Sequence, residues 1–371
     1  MQHRSTSAPW LRFVIAIAAI GLVASACSDD AASPDDTASP DAASPDDSGA
    51  GGEIVVISHD SFGIDEELLE QFEADTGYSV TLQQGGDAVE IVNQAILTLD
   101  EPQGDVLFGV DDATLGRALD NDLFVPYESA ALSTVRPELV LDDEHRVTPI
   151  DHGAVCVNYD AEWFEAQAMD PPEDLEDLRA PEYAELLVVE NPAASSPGLA
   201  FLTATVAEYG EDGWLDYWTD LRNGGVTVAS DWTDAYYGRF SGGSGEGDRP
   251  LVVSYGSSPP AEVMEMDPLP EEGPTGVVEG TCVRQIEFAG VLNNAENPAG
   301  AEAFIDFLLS VEFQETIPLN LFVYPAVESV ALPEVFEQFA VVPTDPYMLD
   351  SETIAAGRDT WIDEWTDTVL R

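Results

Sequence analysis

The chain has 371 residues with 72 acidic side chains against 12 basic ones, every basic one an arginine, for a formal net charge of −60. A field of that sign and size excludes nucleic acid and anionic membrane surface as partners. The 44% hydrophobic content suffices for a packed core, so the acidity reads either as a solvated surface suited to salty surroundings or as a field that attracts a cationic ligand.

Residues 1–27 read as an export leader. Arg4 and Arg12 precede an unbroken apolar run, 13–24, and small residues follow directly before Cys27. That run is too short to span a bilayer as a helix. The tetrapeptide Ala24-Ser25-Ala26-Cys27 resembles a bacterial lipobox, whose cysteine becomes a lipidated N-terminus after cleavage, with Ala24 standing where Leu is more common. Residues 28–52 are almost wholly Ser, Asp, Ala, Pro and Gly, with Ser-Pro-Asp recurring three times. Such a segment cannot build a core and is expected to act as an acidic, disordered, extended tether.

The remaining residues, about 320, exceed what one hydrophobic core usually serves and point to two domains. Short apolar strands alternate with amphipathic helices, the pattern of an α/β sheet. Strands are expected at 53–58, 79–83 and 105–110. Helices are expected at 65–76, with Leu68, Leu69 and Phe72 on one face and Gly77 as the stop, and at 88–99. Strand-like runs recur at 154–159, 186–190, 226–230, 251–255 and 281–288, and a helix starts near Leu199. In the last helix Trp361, Trp365 and Val369 form a stripe that reads as core.

Open α/β sheets bind ligands beyond the carboxyl ends of their strands. That rule selects His59, Asp60 and Ser61 after the first strand, and Asp111 and Asp112 after the third. From the second half it selects Ser195 and Ser196, Trp232 with Tyr236 and Tyr237, and Tyr255 with Ser257 and Ser258. Each has a plainer alternative. Asp111 can cap a helix at Thr114. Ser195 to Leu199 can be an ordinary turn or an anion site at a helix start. Trp232 and Tyr236 can be core or an exposed aromatic wall.

With Cys27 taken by lipid, Cys156 and Cys282 are left to pair in an exported chain, against the alternative of two buried thiols. The four histidines are scattered and neither Cys-x-x-Cys nor His-x-x-x-His occurs, so no metal site is expected. No Gly-x-Ser-x-Gly elbow or Walker loop occurs, and the glycine-rich stretch 241–247 reads as a surface loop, so neither catalysis nor a cofactor is expected.

Eight segments in one order resemble the thiamine-binding proteins of bacterial ABC importers, within the periplasmic-type substrate-binding proteins. They are His59-Asp60-Ser61-Phe62, Asp105 through Asp111, Pro149-Ile150-Asp151-His152-Gly153, and Asn191-Pro192 through Ser196-Pro197-Gly198-Leu199. Then come Trp232-Thr233-Asp234-Ala235-Tyr236, Leu251 through Tyr255 with Ser258-Pro259, Ile317-Pro318 through Tyr324-Pro325, and Trp361-Ile362-Asp363-Glu364-Trp365. The resemblance implies an α/β, two-lobed periplasmic-binding-protein fold of type II, with a ligand cleft between lobe 1 (53–155 plus 283–371) and lobe 2 (156–282). Cys156 and Cys282 then fall where the chain crosses between lobes.

Carried over, the family's ligand contacts fall on His59, Asp111, Ser196, Trp232 and Tyr255, and on Phe322 from the resemblance alone. The family commonly has Tyr at the position of His59 and Trp at that of Phe322. The implied ligand, thiamine, is a permanent cation with a flat aminopyrimidine, suited to aromatic faces and to a carboxylate such as Asp111, while the helix start at Ser195 would suit a phosphate ester. The implied partners are the permease and ATPase subunits of an ABC importer, with a lipid anchor holding the protein on the outer face of the membrane. Two other readings stand beside it: a binding protein of the same architecture for ferric iron or a polyamine, and a secreted hydrolase with an acidic pair.

Overall fold

A computed structural model describes residues 51–371; the leader, Cys27 and all but the end of the tether segment lie outside them. One mixed sheet runs through the described chain in the order β2-β1-β3-β8-β4-β7-β5-β6. Its strands are β1 (Glu53–Ser58), β2 (Ser79–Gln84), β3 (Val106–Asp111), β4 (Thr148–Asp160), β5 (Leu187–Glu190), β6 (Thr227–Ala229), β7 (Leu251–Tyr255) and β8 (Thr275–Val291), while β9 (Tyr324–Pro325) pairs with β4 off this path. Two parallel blocks, β2-β1-β3 and β7-β5-β6, flank the antiparallel pair β8-β4.

That central pair explains how one sheet serves two cores. Residues 148–153 of β4 pair with 285–289 of β8, and residues 155–160 pair with 275–283. The first stretch carries Ile150, Ile286 and Phe288 into a cluster with Ile54, Phe108 and Phe304. The second carries Val155, Val157 and Val278 into a cluster with Trp214, Trp218 and Leu251. At the start of the second stretch the register shifts at Val155/Val157, and the Thr281 hydroxyl accepts from the Val157 amide at 2.9 Å, satisfying a donor the shift would otherwise strand. Cys156 and Cys282 are disulfide-bonded at this same junction.

The longer helices are α1 (Glu66–Thr76), α2 (Ala88–Leu97), α3 (Asp112–Asp120), α4 (Ser196–Gly224, interrupted at Gly210), α5 (Pro298–Leu308) and α6 (Ser351–Trp365). The expected elements of both parallel blocks form within a residue or two of their predicted limits, except that α4 starts at Ser196, three residues ahead of the expected Leu199. The crossing strands run longer than expected, because Pro149, Asp151 and Gly280 interrupt the apolar pattern of segments that the ladder nonetheless holds. The C-terminal stripe is core: Trp361, Trp365 and Val369 are buried. It packs in the second cluster, with the Trp365 ring edge-on to Trp218 at 5.5 Å, although chain continuity placed it with the first lobe. Arg117 of α3 and Asp359 of α6 meet at 3.4 Å, so this helix straddles both blocks.

Candidate functional site

A cleft of about 380 Å³ opens where the two parallel blocks turn their strand ends toward each other, a volume suited to a small molecule. His59, Asp60 and Ser61 enter it from the end of β1, Asp87 and Ala88 from the start of α2, and Ser196 and Pro197 from the start of α4. Trp232, Tyr236 and Tyr237 come from the segment after β6, Tyr255 and Ser258 from the end of β7, and Asn320 to Val323 close the rim. Gln285 and Glu287 reach it from the crossing strand β8. The strand-end rule therefore accounts for most of the wall.

One side is aromatic. Trp232 stacks on Tyr236 at 5.2 Å and 21°, meets Tyr255 edge-on at 6.5 Å, and is held in place by its indole N–H, which donates to the Ser254 hydroxyl at 2.9 Å. Tyr236 is buried and donates its hydroxyl to Glu262 at 2.8 Å, while Tyr237 stands exposed, so the cluster is core at its back and wall at its front. Opposite in the chain, Phe322 lines the rim with a φ of 54° and stacks on Phe336 at 6.4 Å. A non-glycine residue in the left-handed region carries strain of the kind that gathers at ligand clamps.

The cleft is also acidic. Asp60, Asp87, Asp231 and Glu287 line it, Asp231 next to Trp232 in the chain, and among the described residues His59 is the one basic residue in its lining, with no arginine there. The His59 Nε2 atom lies 3.0 Å from Oε1 of Glu287. Its ring fits because Gly109, at φ 110°, has no Cβ; one built there would stand 2.8 Å from the His59 Cδ2. Burial pushes the Asp87 carboxyl up to about 6 against its hydrogen bonds from Ser196 and Ser195 and the nearby His59. Asp87 is the N-cap residue of α2, yet its side chain does not cap that helix. It reaches instead across the cleft floor to the first turn of α4, where the Ser196 amide donates to it at 2.7 Å.

That contact corrects one expectation. The start of α4 does not stand open for a phosphate, because an internal carboxylate already takes the Ser196 amide and the favourable end of the helix dipole. Ser195 is fully buried behind the wall, whereas Ser196 lines it. Asp111 is a second correction. It does not line the cleft, and it is fully buried in a capping box with Thr114, whose amide donates to it at 3.0 Å and whose hydroxyl at 2.7 Å. Its other oxygen accepts from the Ser196 hydroxyl and from Gln285 at 3.2 Å. With both oxygens engaged, Asp111 positions Ser196 and Gln285 from behind and has no acceptor left for a ligand. Burial raises its pKa despite those bonds. Asp112 turns away as well, pairing with Arg284 at 3.2 Å. Ser257 is buried outside the lining, while Ser61, Tyr237 and Ser258 belong to it.

Sequence reasoning missed Asp87, Gln285 and Glu287. Asp87 follows the end of β2, where the strand-end rule applies as it does after β1. Glu287 and Gln285 lie within a strand, and their only signal is that they alternate with Ile286 and Phe288 over 285–288.

A family model described as bacterial extracellular solute-binding protein matches residues 102–344. The thiamine-binding periplasmic protein of Salmonella typhimurium is 29% identical over 322 residues, covering 86% of this chain and 94% of that protein. A solved structure titled periplasmic thiamin binding protein superposes with a TM-score of 0.76 at 27% identity, covering 86% of this chain and 96% of that one. Iron-bound HitA from Pseudomonas aeruginosa shares the fold at a TM-score of 0.65 and 18% identity, covering 85% of this chain and 99% of its own.

Proposed function

Because the chain belongs to the bacterial extracellular solute-binding proteins, with their two-lobed fold, we propose that its cleft captures thiamine outside the cell and presents it to the permease and ATPase subunits of an ABC importer. The observation that carries this reading is a cleft lined by stacked aromatics and four carboxylates, with no arginine among its described lining. A flat permanent cation satisfies both kinds of group. Each aromatic face contributes about 0.5–2 kcal/mol once water is excluded, and the carboxylates supply the countercharge. The similarity to thiamine-binding relatives over 86% of the chain supports the same ligand.

In this reading lobe 1, 53–155 with the chain from 283, and lobe 2, 156–282 with the C-terminal stripe packed against it, close on the ligand without reacting with it and without a cofactor, and lipid on Cys27 holds the protein at the outer face of the membrane. Ferric iron is the weaker reading, since the buried Tyr236 hydroxyl is engaged by Glu262. Thiamine titration against thermal unfolding tests the proposal: binding at one site is expected to raise the melting temperature progressively. A flat melting temperature, or a different compound released from the purified protein and identified by mass spectrometry, would overturn it.

A further inference from the structure

His59 stands alone as a basic group in an acidic cleft. Its Nε2 atom is 3.0 Å from Oε1 of Glu287, a close contact although not an ideally aligned hydrogen bond. Glu287 faces it from β8, Asp87 from the start of α2 and Asp60 from the next position in the chain. From β3 it meets no charge, only the Phe108 ring at 5.5 Å and the bare Cα of Gly109. Behind Glu287 lie two more buried carboxyls, Asp151 on β4 and Asp111. A ligand cation entering this cleft approaches carboxylates that already have a partner.

We propose that His59 is the resident cation of the empty cleft, and that a permanently cationic ligand takes Glu287 over from it and expels its proton to solvent. The inference rests on the reading of the ligand as a thiamine-like cation. Burial alone favours the neutral imidazole, and the charges of Glu287, Asp87 and Asp60 outweigh it, holding the His59 pKa above its ordinary value. Once a fixed positive charge neutralises those carboxylates, burial prevails and the proton leaves. Two cations confined in about 380 Å³ also repel each other. By linkage, affinity then rises with pH, by up to about tenfold per unit while His59 is fully protonated in the empty protein. The device sets a specificity as well: a neutral ligand of the same shape leaves His59 charged and releases no proton.

The test is calorimetry of thiamine binding to the full chain at pH 6.5 in two buffers of different ionisation heat. A net release of protons from His59 on binding is expected, up to one per thiamine. Asp87 adds its own smaller release, and the His59 share is the difference between the parent and His59→Gln. A second readout uses the ring proton resonances of the four histidines. The His59 resonance, assigned through the variant or by elimination, is expected to titrate at a lower pH when the protein is saturated with thiamine than when it is empty. His152 does not interfere, because burial pulls it down to about 4. Binding with the same proton release in parent and variant, or a His59 midpoint that does not move, would overturn this inference and leave the thiamine reading intact. No binding heat in either buffer would overturn the thiamine reading, and this inference with it.

Discussion

Replacing Asp87 with asparagine is expected to weaken ligand binding and strengthen the fold at the same time. The substitution keeps an acceptor for the Ser196 amide and sacrifices no helix cap, since Asp87 makes no side-chain cap bond. A sphere holding the cleft volume of 380 Å³ has a radius of about 4.5 Å, so a wall carboxylate and a bound positive charge sit about 5–7 Å apart. At an effective dielectric of about 20–40, that attraction is worth about 1.5–3 kcal/mol, or roughly 10- to 150-fold in affinity. For stability the sign reverses. Burial is the largest influence on Asp87 and lifts its pKa from 3.8 to about 6, so above that pH the ionised form opposes folding. Two units correspond to about 3 kcal/mol, discounted to about 1–2 because the carboxylate sits on a cleft wall that water reaches. Between pH 4 and 6 the folded chain keeps a proton that the unfolded chain has lost, so this contribution to stability falls as pH rises through that window, and Asp87→Asn lacks that part of the slope. Calorimetry gives the affinity and urea unfolding at pH 4.5 and 7.5 gives the stability. A variant that loses stability and keeps its affinity would show that Asp87 is a structural strut and that the electrostatic account of the cleft is wrong.

Thiamine monophosphate is expected to bind at least tenfold more weakly than thiamine, because its phosphate meets four lining carboxylates and a helix start already occupied by Asp87; equal affinities by calorimetry would refute this. Asp111→Ala is expected to cost about 2–4 kcal/mol in urea unfolding, as the cap and two buried donors, Ser196 and Gln285, lose their acceptor. Trp232→Phe is expected to remove most of the ligand-induced fluorescence quench among the seven tryptophans, and a quench that survives would take Trp232 out of contact with the ligand. Reduction of the Cys156–Cys282 bond, which spans 126 residues, is expected to lower stability by about 5 kcal/mol in the chain-entropy account, and two thiols titrating in the denatured, unreduced protein would refute the bond itself.

The legible parts of the fold are those where period and punctuation agree. β1, α1, β2, α2 and β3 follow from apolar runs separated by Asp65, Gly77 and Asp87, each standing at a helix end. The outer halves of the crossing strands were hidden, since Pro149 and Gly280 read as breaks and only pairing across the sheet shows them as a register shift and a bulge. At the site, strand ends gave His59, Asp60, Ser196, Trp232 and Tyr255, but the rule cannot say which way a side chain turns. Asp111 is the last residue of β3, while His59 follows β1, and Asp111 folds back on Thr114 because helix α3 begins at the very next residue. Glu287 was invisible for a different reason: its role depends on His59, which is remote in the chain and brought beside it only when β3 pairs with β8.

The sign of the cleft is a property of the sheet rather than a sample of the acidic composition. Side chains on a strand alternate between faces, so on β8 Gln285 and Glu287 point into the cleft while Arg284, one residue before them, is turned to the opposite side, where it meets Asp112. Three further arginines are likewise engaged away from the ligand: Arg117 with Asp359, Arg179 with Asp220 and Arg239 with Asp234. A solvated acidic surface needs no such sorting, because water and salt screen each charge within about 8 Å at physiological ionic strength. Half-buried carboxylates that face one another across a cavity do need a countercharge. The two explanations of the acidity therefore apply to different atoms, with solvation governing the exposed Asp and Glu, and cation recognition governing the few, Asp87 and Glu287 above all, that the strands and helix starts turn inward.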